Sequence, residues 1–485
     1  MAEKDFAQKL TPKSQDFSQW YVETVLRAGL ADYTDIKGCM VIRPYGYTLW
    51  ENMRDALDRR IKATGHENAY FPLFVPESLL RLEADHVQGF APECAWVTYA
   101  GNDELEERLA IRPTSEAIIG SIYAKWIQSY RDLPVLINQW ANVVRWEKRT
   151  RLFLRTSEFL WQEGHTCHRT YEEAQEETLK MLNVYREFIE TELAIPVVTG
   201  QKSESEKFAG AQLTYTVEAL MADGLALQAG TSHNLGQHFA KVFNIKFLDE
   251  DNVEKYVWQT SWGVSTRLVG GIVMVHGDDN GLILPPRVAP CQVVVIPIYT
   301  TENRDLVTEK ANTLYTALVG AGIRARTDLD PTKSPGWKFN EWDLRGAPLR
   351  LEIGPKDIAK GQVCLARRDV SDRAQKKIFA GEDAMVAMVR RLLDEIQAAM
   401  FARARDFRDR NTRAITTYEQ FREIIESQRG FVVGPWAGSA ADEARIKEET
   451  KATLRCMPLE QPDPVGPCFY TKQPAKCIAY FARAY

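Results

Sequence analysis

Charged and aromatic side chains recur at short intervals between residues 139 and 165. Arg145 and Glu147 flank Trp146, so in a strand the two charged residues would share one face. The loop that follows, 147–155 (EKRTRLFLR), carries the cations Lys148, Arg149, Arg151 and Arg155. Guanidinium and ammonium groups at this density are suited to phosphate oxygens. The pattern therefore predicts a hairpin that binds a nucleotide.

The returning strand of this hairpin would present a wall of mixed character. Every second position from 157 to 165 contributes to it, namely Ser157, Phe159, Trp161, Glu163 and His165. A half-buried core strand would explain the aromatic residues. It would not explain the carboxylate and the imidazole, because an unpaired buried charge is costly. We therefore expect a pocket here that can hold a small cation.

These residues resemble motif 2 of the class II aminoacyl-tRNA synthetases, in which Arg-x-Glu and a basic loop precede a strand with spaced arginine, phenylalanine and glutamate. Three blocks are similar to the prolyl-tRNA synthetase family and occur in the same order: 112–116 (RPTSE), 158–165 (EFLWQEGH) and 230–233 (GTSH). The resemblance runs from about Asp16 to Tyr485 and is to the archaeal and eukaryotic type of the family, which lacks an editing insertion. It implies activation of L-proline with ATP, followed by transfer of the prolyl group to the 3′ end of proline tRNA.

The segment 259–267 (QTSWGVSTR) is similar to motif 3 of the same class and ends at Arg267. A lone arginine in such a place is more often a surface ion pair, but a second arginine changes that interpretation. The resemblance implies that Arg145 grips the α-phosphate and Arg267 the γ-phosphate of a bent ATP, accompanied by Mg²⁺. These two are the implied catalytic residues. The implied ATP-binding residues are Arg145, Glu147, Arg155, Phe159, Gln228, Thr231 and Arg267.

The segment 109–119 (LAIRPTSEAII) predicts a strand that leads into a helix. From the residues alone Thr114 would cap that helix, since threonine satisfies free amides at helix starts. The resemblance implies a second role, in which Thr114 and Glu116 accept the two N–H donors of the proline ammonium. The implied proline-binding residues are Thr114, Glu116, Arg145, Trp161, Glu163, His165, Phe208 and His233.

Amphipathic helices are predicted over 17–29, 50–64 and 171–193. The second leads into 69–76 (AYFPLFVP), whose prolines favour an edge strand. This helix and strand resemble motif 1, with Pro72 as its proline, which implies a homodimer interface. Bacterial members of the family carry a large editing insertion between motifs 2 and 3. The interval from His165 to Trp262 is too short for it, so we expect no editing in cis.

A proline-rich linker, 282–290 (LILPPRVAP), precedes a continuous apolar strand at 293–296 and marks a new domain. The strands and helices that follow alternate, as in a small α/β domain. We predict domains at 1–285, 286–400 and 401–485. The expected fold class is α/β (α+β), with a class II antiparallel-sheet catalytic domain, an α/β anticodon-binding domain and a small α+β C-terminal domain.

Charged residues of the second domain are the candidates for anticodon contacts that the resemblance implies. They are Lys338, Glu341, Glu352, Arg367 and Arg368; a solvated charged face is the alternative. The charged run 401–413 is expected to be a salt-bridged helix surface or an edge that follows phosphates.

The C-terminal domain binds structural zinc through four cysteines in many family members. Here Ala437, Asp442, Cys468 and Thr471 take those positions. One cysteine cannot complete a tetrahedral site, so we predict no zinc. Tyr485 matches the family's C-terminal tyrosine, which approaches the catalytic domain.

Composition supports a large globular protein. The chain has 485 residues, 45% of them hydrophobic, which is enough for two or three cores. Its net charge of −5 argues against a protein coated in nucleic acid. The eight cysteines lack a framework spacing, and neither a signal peptide nor a membrane-spanning run is evident. We expect reduced thiols, no membrane and a cytoplasmic location.

Two other functions compete with this interpretation. A related class II synthetase for threonine, serine or glycine is the nearest enzyme, but threonine selection would need a metal-ligand pocket that these residues lack. A catalytically silent synthetase-like RNA-binding protein is the other, since fold alone does not establish activity. Such a protein would be expected to lose Arg145, Arg267, Thr114 or Glu116, and all four are retained.

Overall fold

The computed structural model describes residues 9–82, 94–463 and 465–485. The N-terminal part of the chain combines antiparallel strands with flanking helices. Its helices are α1 (Phe17–Arg27), α2 (Pro44–Ala63), α3 (Glu77–Arg81), α4 (Glu116–Trp126), α5 (Tyr171–Glu192), α6 (His238–Val242) and α7 (Arg267–His276). Its strands are β1 (Ala31–Tyr33), β2 (Met40–Ile42), β3 (Glu67–Asn68), β4 (Phe74–Pro76), β5 (Ala95–Ala100), β6 (Asp103–Ile111), β7 (Val135–Val144), β8 (Glu158–His168), β9 (Val197–Gln201), β10 (Leu213–Leu220), β11 (Ala226–Gly236), β12 (Lys246–Leu248), β13 (Glu254–Tyr256) and β14 (Trp258–Ser265).

The middle part of the chain is a five-stranded sheet with helices packed against it. Its strands are β15 (Val293–Pro297), β16 (Ala325–Thr327), β17 (Leu349–Ile353), β18 (Gln362–Arg367) and β19 (Lys377–Gly381), in the order β16-β15-β17-β18-β19. Its helices are α8 (Arg304–Gly320), α9 (Pro335–Arg345), α10 (Pro355–Ala359), α11 (Arg373–Lys376) and α12 (Met385–Arg410). The C-terminal part adds β20 (Thr412–Ala414), α13 (Tyr418–Ser427), β21 (Phe431–Trp436), α14 (Ala440–Thr450), β22 (Thr453–Pro458) and β23 (Cys477–Ala482).

One 11-stranded sheet runs through both the N-terminal and the C-terminal parts. Its order is β20-β21-β23-β22-β9-β10-β11-β14-β8-β7-β3. The central neighbours from β9 to β7 pair antiparallel, which confirms the expected fold class. β22 joins the C-terminal strands to this sheet through Met457 opposite Gln201.

Helix α5 covers one face of the central strands. Thr170 and Glu173 form a capping box at its start, and its apolar side packs into the main core. The Tyr185 hydroxyl lies 2.5 Å from the Gln162 side chain, so the even-numbered residues of β8 face this helix. Odd-numbered residues of β8 must therefore face the opposite side of the sheet.

Several element boundaries differ from those expected. Helix α2 starts at Pro44 instead of residue 50, because proline is well suited to the first helical turn. The motif 1 strand is confined to Phe74–Pro76, since Pro72 lacks the N–H that a longer ladder would need. Helix α12 continues through residue 400, where we had placed a domain boundary.

The charged run 401–413 is helical to Arg410 and carries ion pairs such as Arg410 with Asp406, as expected for a salt-bridged surface. Within the described ranges, no helix is long and apolar enough to cross a membrane.

Candidate active site

One cavity opens on the face of the sheet opposite α5. Of the residues that the sequence singled out for nucleotide or amino-acid binding, it is lined by Thr114, Glu116, Arg145, Phe159, Trp161, Glu163, His165, Phe208, Gln228, Thr231, His233 and Arg267. They come from β8, β11, α4, α7 and the loops around them. Residues far apart in sequence thus meet at one site.

Two arginines form one end of this cavity. Arg145 follows β7, and its Nε donates to the Pro113 carbonyl at 2.9 Å. Its guanidinium lies 5.7 Å from the ring centre of Phe159 and 5.4 Å from that of Trp161. Arg267 is the first residue of α7, and its Nε donates to the Leu154 carbonyl at 3.2 Å. A backbone carbonyl thus helps to orient each of these two side chains.

The electrostatics of Arg267 show how strongly positive this end is. Burial, together with the neighbouring Arg145 and Arg155, lowers the pKa of Arg267 to about 10. An arginine with a lowered pKa is one whose charge lacks sufficient compensation from the protein. A polyanionic ligand such as a triphosphate would supply that compensation.

Two predicted ATP residues, Glu147 and Arg155, do not belong to the cavity lining. Their side chains pair with each other, with 2.8 Å between Arg155 Nε and a Glu147 oxygen. The expectation that Arg145 and Glu147 share a strand face was wrong, because β7 ends at Val144. Trp146, between them, is half exposed. Both residues remain predictions as ATP contacts.

A buried carboxylate organises the other end of the cavity. Glu163 accepts hydrogen bonds from Ser115 Oγ at 2.5 Å and from Gln139 Nε2 at 2.8 Å, and it lies 2.9 Å from His165 Nε2. Burial alone would lower the pKa of His165, but Glu163, aided by Glu116, raises it above its ordinary value. The partners that the sequence argument required for Glu163 are therefore present.

Thr114 does not cap helix α4, contrary to expectation. The N-cap is Ser115, which makes no capping bond because its hydroxyl is directed to Glu163. The Thr114 hydroxyl instead donates to the Glu116 carboxylate. Both hydroxyls are therefore bonded to carboxylates at the cavity and not to the free amides at the start of the helix.

Two rings close this end of the cavity. Phe208 and His233 lie 4.7 Å apart with their planes inclined by 33°. His233 Nδ1 is 3.0 Å from the Thr214 hydroxyl. Burial lowers the pKa of His233 to about 4 despite the nearby Glu116, so the ring is neutral at pH 7. A neutral imidazole next to a phenyl ring forms a compact, weakly polar wall.

Sequence reasoning missed several residues of this site. Ser115 and Gln139 hold Glu163, while Lys202, Thr214 and Ser261 line the cavity. Ser115 lies within a motif that we had quoted, but no spacing rule distinguished Lys202 or Thr214. Within the described residues, the buried Trp161 Nε1 and Ser261 Oγ lack hydrogen-bond partners. Polar atoms of this kind in a cavity wall suit a polar ligand.

The side chains around the cavity do not form a metal cage. Mg²⁺ takes oxygen ligands, largely from phosphates and water with one or two carboxylates. Residues 9–82, 94–463 and 465–485 contain no group of three His, Cys, Asp or Glu side chains that could hold a metal. Glu218, which acts on Arg267, is already bound to Lys202 and Arg455. A Mg²⁺ ion would fit among these residues only if the phosphates of the nucleotide coordinated it.

The five candidate anticodon residues have partners within the protein. Lys338 is buried and pairs with Asp328, and Glu352 is buried and pairs with Arg350 and Lys377. Glu341 pairs with Lys333 and Arg345. Arg367 pairs with Asp369 and Glu395. Arg368 makes two bonds to Asp278, at 2.6 and 2.8 Å, which connect the middle part of the chain to the N-terminal part. As anticodon contacts these residues stay predictions, and RNA would have to compete with their present partners.

The C-terminal part has a core of its own, rich in aromatic rings such as Trp436, Phe469 and Phe481. Cys468 Sγ accepts a hydrogen bond from the Thr471 N–H at 3.4 Å. Tyr485 reaches the N-terminal part, where its hydroxyl donates to Asp223 at 2.6 Å. The last residue of the chain is therefore ordered by the sheet that carries the cavity.

Comparison with known proteins yields three family matches that together cover most of the chain. The family described as "tRNA synthetase class II core domain (G, H, P, S and T)" matches residues 96–276, "Anticodon binding domain" matches 292–388 and "Prolyl-tRNA synthetase, C-terminal" matches 418–485. The fold and the site thus define a class II aminoacyl-tRNA synthetase.

Full-length relatives are more specific. The chain is 56% identical to a Proline-tRNA ligase of Natranaerobius thermophilus, with 99% of each chain covered, and 59% identical to one of Rubrobacter xylanophilus, again with 99% of each covered. A Proline-tRNA ligase of Symbiobacterium thermophilum is 56% identical, over 100% of this chain and 99% of the relative. The chain belongs to the prolyl-tRNA synthetase family.

Proposed function

We propose that the cavity binds ATP at its arginine end and L-proline at the end formed by Glu163, His165 and Phe208, and that the chain joins them before charging proline tRNA. One observation carries this proposal: Arg145 and Arg267 line the same cavity as Thr114 and Glu116. A phosphate-binding region and a niche with acceptors for an ammonium group are thus adjacent. Adjacency of this kind is what a reaction between a carboxylate and a nucleotide requires.

The amino-acid end fits the chemistry of an imino acid. The proline ammonium offers two N–H donors, and the Thr114 hydroxyl oxygen and the Glu116 carboxylate are acceptors. Trp161, Phe208 and the neutral His233 would enclose the apolar ring. Glu163 and His165 would hold this wall in place through their mutual hydrogen bond.

The arginine end fits the chemistry of adenylate formation. A proline carboxylate oxygen would attack the α-phosphorus, the new O–P bond would form, and the bond to the β-phosphate oxygen would break as pyrophosphate leaves. Arg145 and Arg267 would stabilise the negative charge that develops on these oxygens. Phe159 would stack on adenine. Mg²⁺, carried by the phosphates, would screen their charge.

The second step transfers the prolyl group to tRNA. A ribose hydroxyl at the 3′ end would attack the carbonyl carbon of the adenylate, lose its proton and release AMP. The match of residues 292–388 to an anticodon-binding domain supports tRNA as the partner. Positioning of the two reactants would supply much of the acceleration.

A homodimer is part of this proposal. Tyr47, Tyr70 and Phe74, in and around the helix and strand that resemble motif 1, expose 40%, 70% and 45% of their surface. Exposed aromatic residues in one segment are typical of an interface. Sedimentation equilibrium tests this point directly: a mass close to one chain at micromolar concentration would contradict it.

Exchange of pyrophosphate into ATP, measured with each amino acid in turn, tests the function. Proline should support exchange, alanine and cysteine far less, and threonine, serine and glycine not at all. Arg145→Ala should abolish exchange, because it removes the contact to the reacting phosphate. Exchange driven by another amino acid, or none with proline, would refute the proposal.

A further inference from the structure

A buried trio of charged side chains connects the C-terminal part of the chain to the cavity. The Glu218 carboxylate on β10 is fully buried and accepts a hydrogen bond from the Lys202 ammonium at 3.0 Å. The Arg455 guanidinium on β22 donates to both oxygens of the same carboxylate, at 2.9 to 3.1 Å. Two cations therefore share one anion, and the trio keeps a net positive charge.

Lys202 belongs both to this trio and to the cavity wall. It follows β9, and its N–H donates to the Thr214 carbonyl at 2.8 Å, which makes the two residues cross-strand neighbours on one face of the sheet. Both line the cavity, although the Lys202 side chain is only 2% exposed. The ammonium has three donors. Within the described chain, Glu218 is its one hydrogen-bond partner.

The trio and the arginine end form one positively charged region. Glu218 raises the pKa of Arg267 and Arg455 lowers it, although burial and the other arginines have larger effects. Buried charge is costly unless an opposite charge compensates it. The single charge of Glu218 compensates one of its two cations, and an anion in the cavity would compensate the other.

We propose that Lys202 is a third cationic contact for the pyrophosphate portion of ATP and that Arg455 is the residue that positions it. This inference rests on the function proposed above. When the bond between the α-phosphorus and the leaving oxygen breaks, charge accumulates on pyrophosphate, and a fixed ammonium beside it would stabilise that charge. Arg455 shares the negative charge of Glu218 with Lys202, so the positive charge of Lys202 is not fully compensated and can interact with the phosphate.

Steady-state pyrophosphate exchange with the full-length chain tests the Lys202 contact. Lys202→Met should raise the KM for pyrophosphate and for ATP by about tenfold to a hundredfold, as expected for loss of a charge-assisted contact. The KM for proline should change by less than about threefold, because the ammonium is directed to Glu218, which lies across the sheet from the predicted ATP residue Gln228. Lys202→Arg, which keeps the charge, should restore much of the loss.

Arg455→Met tests positioning. It should raise the KM for pyrophosphate in the same direction but by less, with the KM for proline unchanged. Lys310→Met is the matched control: Lys310 also pairs with a carboxylate, Glu382, at 2.8 Å, but lies in the middle part of the chain outside the cavity. It should behave as wild type.

The outcomes separate this inference from the proposed function. A Lys202→Met chain with wild-type KM values for ATP and pyrophosphate, or one whose KM for proline rises equally, overturns the inference. If that variant does not fold, Lys202→Gln, which keeps a donor for Glu218 and loses the charge, must show the same KM pattern for the inference to stand. A wild-type chain without proline-dependent exchange would instead refute the proposed function.

Discussion

Arg267 should contribute to catalysis at the expense of the stability of the unliganded chain. Its pKa falls from 12.5 to about 10, which at about 1.36 kcal/mol per unit corresponds to roughly 3 kcal/mol against the charged form. Arginine is charged at pH 7 in both the folded and the unfolded chain, so this cost is fully present there. The figure is an upper bound, because the side chain is partly open to the cavity.

Arg267→Met removes that cost together with the hydrogen bond to Leu154, which contributes about 1.5 to 3 kcal/mol as a bond from a charged donor. The two effects nearly cancel. We therefore expect the free energy of unfolding to stay the same or to rise by up to about 1.5 kcal/mol. Pyrophosphate exchange should nevertheless fall by at least about a hundredfold, because a contact to the developing charge is lost.

The assay is thermal unfolding with and without ATP, together with exchange kinetics. Arg368→Met is the contrasting variant, since Arg368 is also buried but makes two bonds to Asp278. Breaking that pair should destabilise the chain by about 1 to 3 kcal/mol. ATP should raise the melting temperature of wild type and not that of Arg267→Met. If Arg267→Met were as destabilised as Arg368→Met, the assignment of Arg267 as an uncompensated charge would be refuted.

Other predictions follow from the same contacts. Phe159→Ala should raise the KM for ATP by about fivefold to a hundredfold in exchange assays, since stacking of a base on an aromatic ring contributes about 1 to 3 kcal/mol. Burial holds the pKa of His233 near 4, below its unfolded value of about 6.5, so the unfolded chain takes up this proton at a higher pH than the folded chain does. The contribution of His233 to stability should therefore be complete above pH 6.5 and fall towards pH 4, by up to about 3 kcal/mol. His233→Asn should reduce this dependence of stability on pH in denaturant titrations. A double-mutant cycle of Arg368→Met and Asp278→Asn should show coupling in stability if Arg368 connects two parts of the chain, whereas an anticodon contact would make Arg368→Met alone reduce aminoacylation. Metal analysis of the purified chain should find less than about one zinc per ten chains, because Cys468 alone cannot complete a site.

Each of these predictions has its own contrary outcome. An unchanged KM for ATP in Phe159→Ala would place adenine elsewhere. If His233→Asn leaves the pH dependence of the free energy of unfolding unchanged, another group causes the loss of stability at low pH. Stoichiometric zinc would show that residues other than the four aligned positions bind it.

Local sequence patterns were sufficient wherever the interaction is local. The capping box of Thr170 and Glu173 lies within one turn of chain, and α5 begins where the sequence predicted, at Tyr171. Strand alternation correctly placed Trp161, Glu163 and His165 on one face of β8. Helix periodicity and strand alternation depend on neighbours a few residues away, so they are readable from the sequence.

Patterns failed where a distant partner decides the outcome. Thr114 has the sequence context of a helix cap, yet the N-cap is Ser115, whose hydroxyl donates to Glu163 on strand β8, while Thr114 donates to Glu116. The charged candidates of the middle part were offered as anticodon contacts or as a solvated face, and the sequence did not indicate that several are buried in ion pairs; their role in RNA binding stays a prediction. Lys202 and Arg455 carried no motif at all.

The sequence by itself determined the family, the antiparallel sheet and the residue types available for phosphate and ammonium binding, since these depend on short motifs and on the alternation of side chains. Only the tertiary structure decided which charges remain uncompensated. Arg368 and Arg267 look alike in the sequence, but one meets Asp278 and the other meets two further arginines. The burial of a charged side chain and its pairing with another are set when segments far apart in the sequence become neighbours in the fold. A local sequence pattern carries no information about which segments these are.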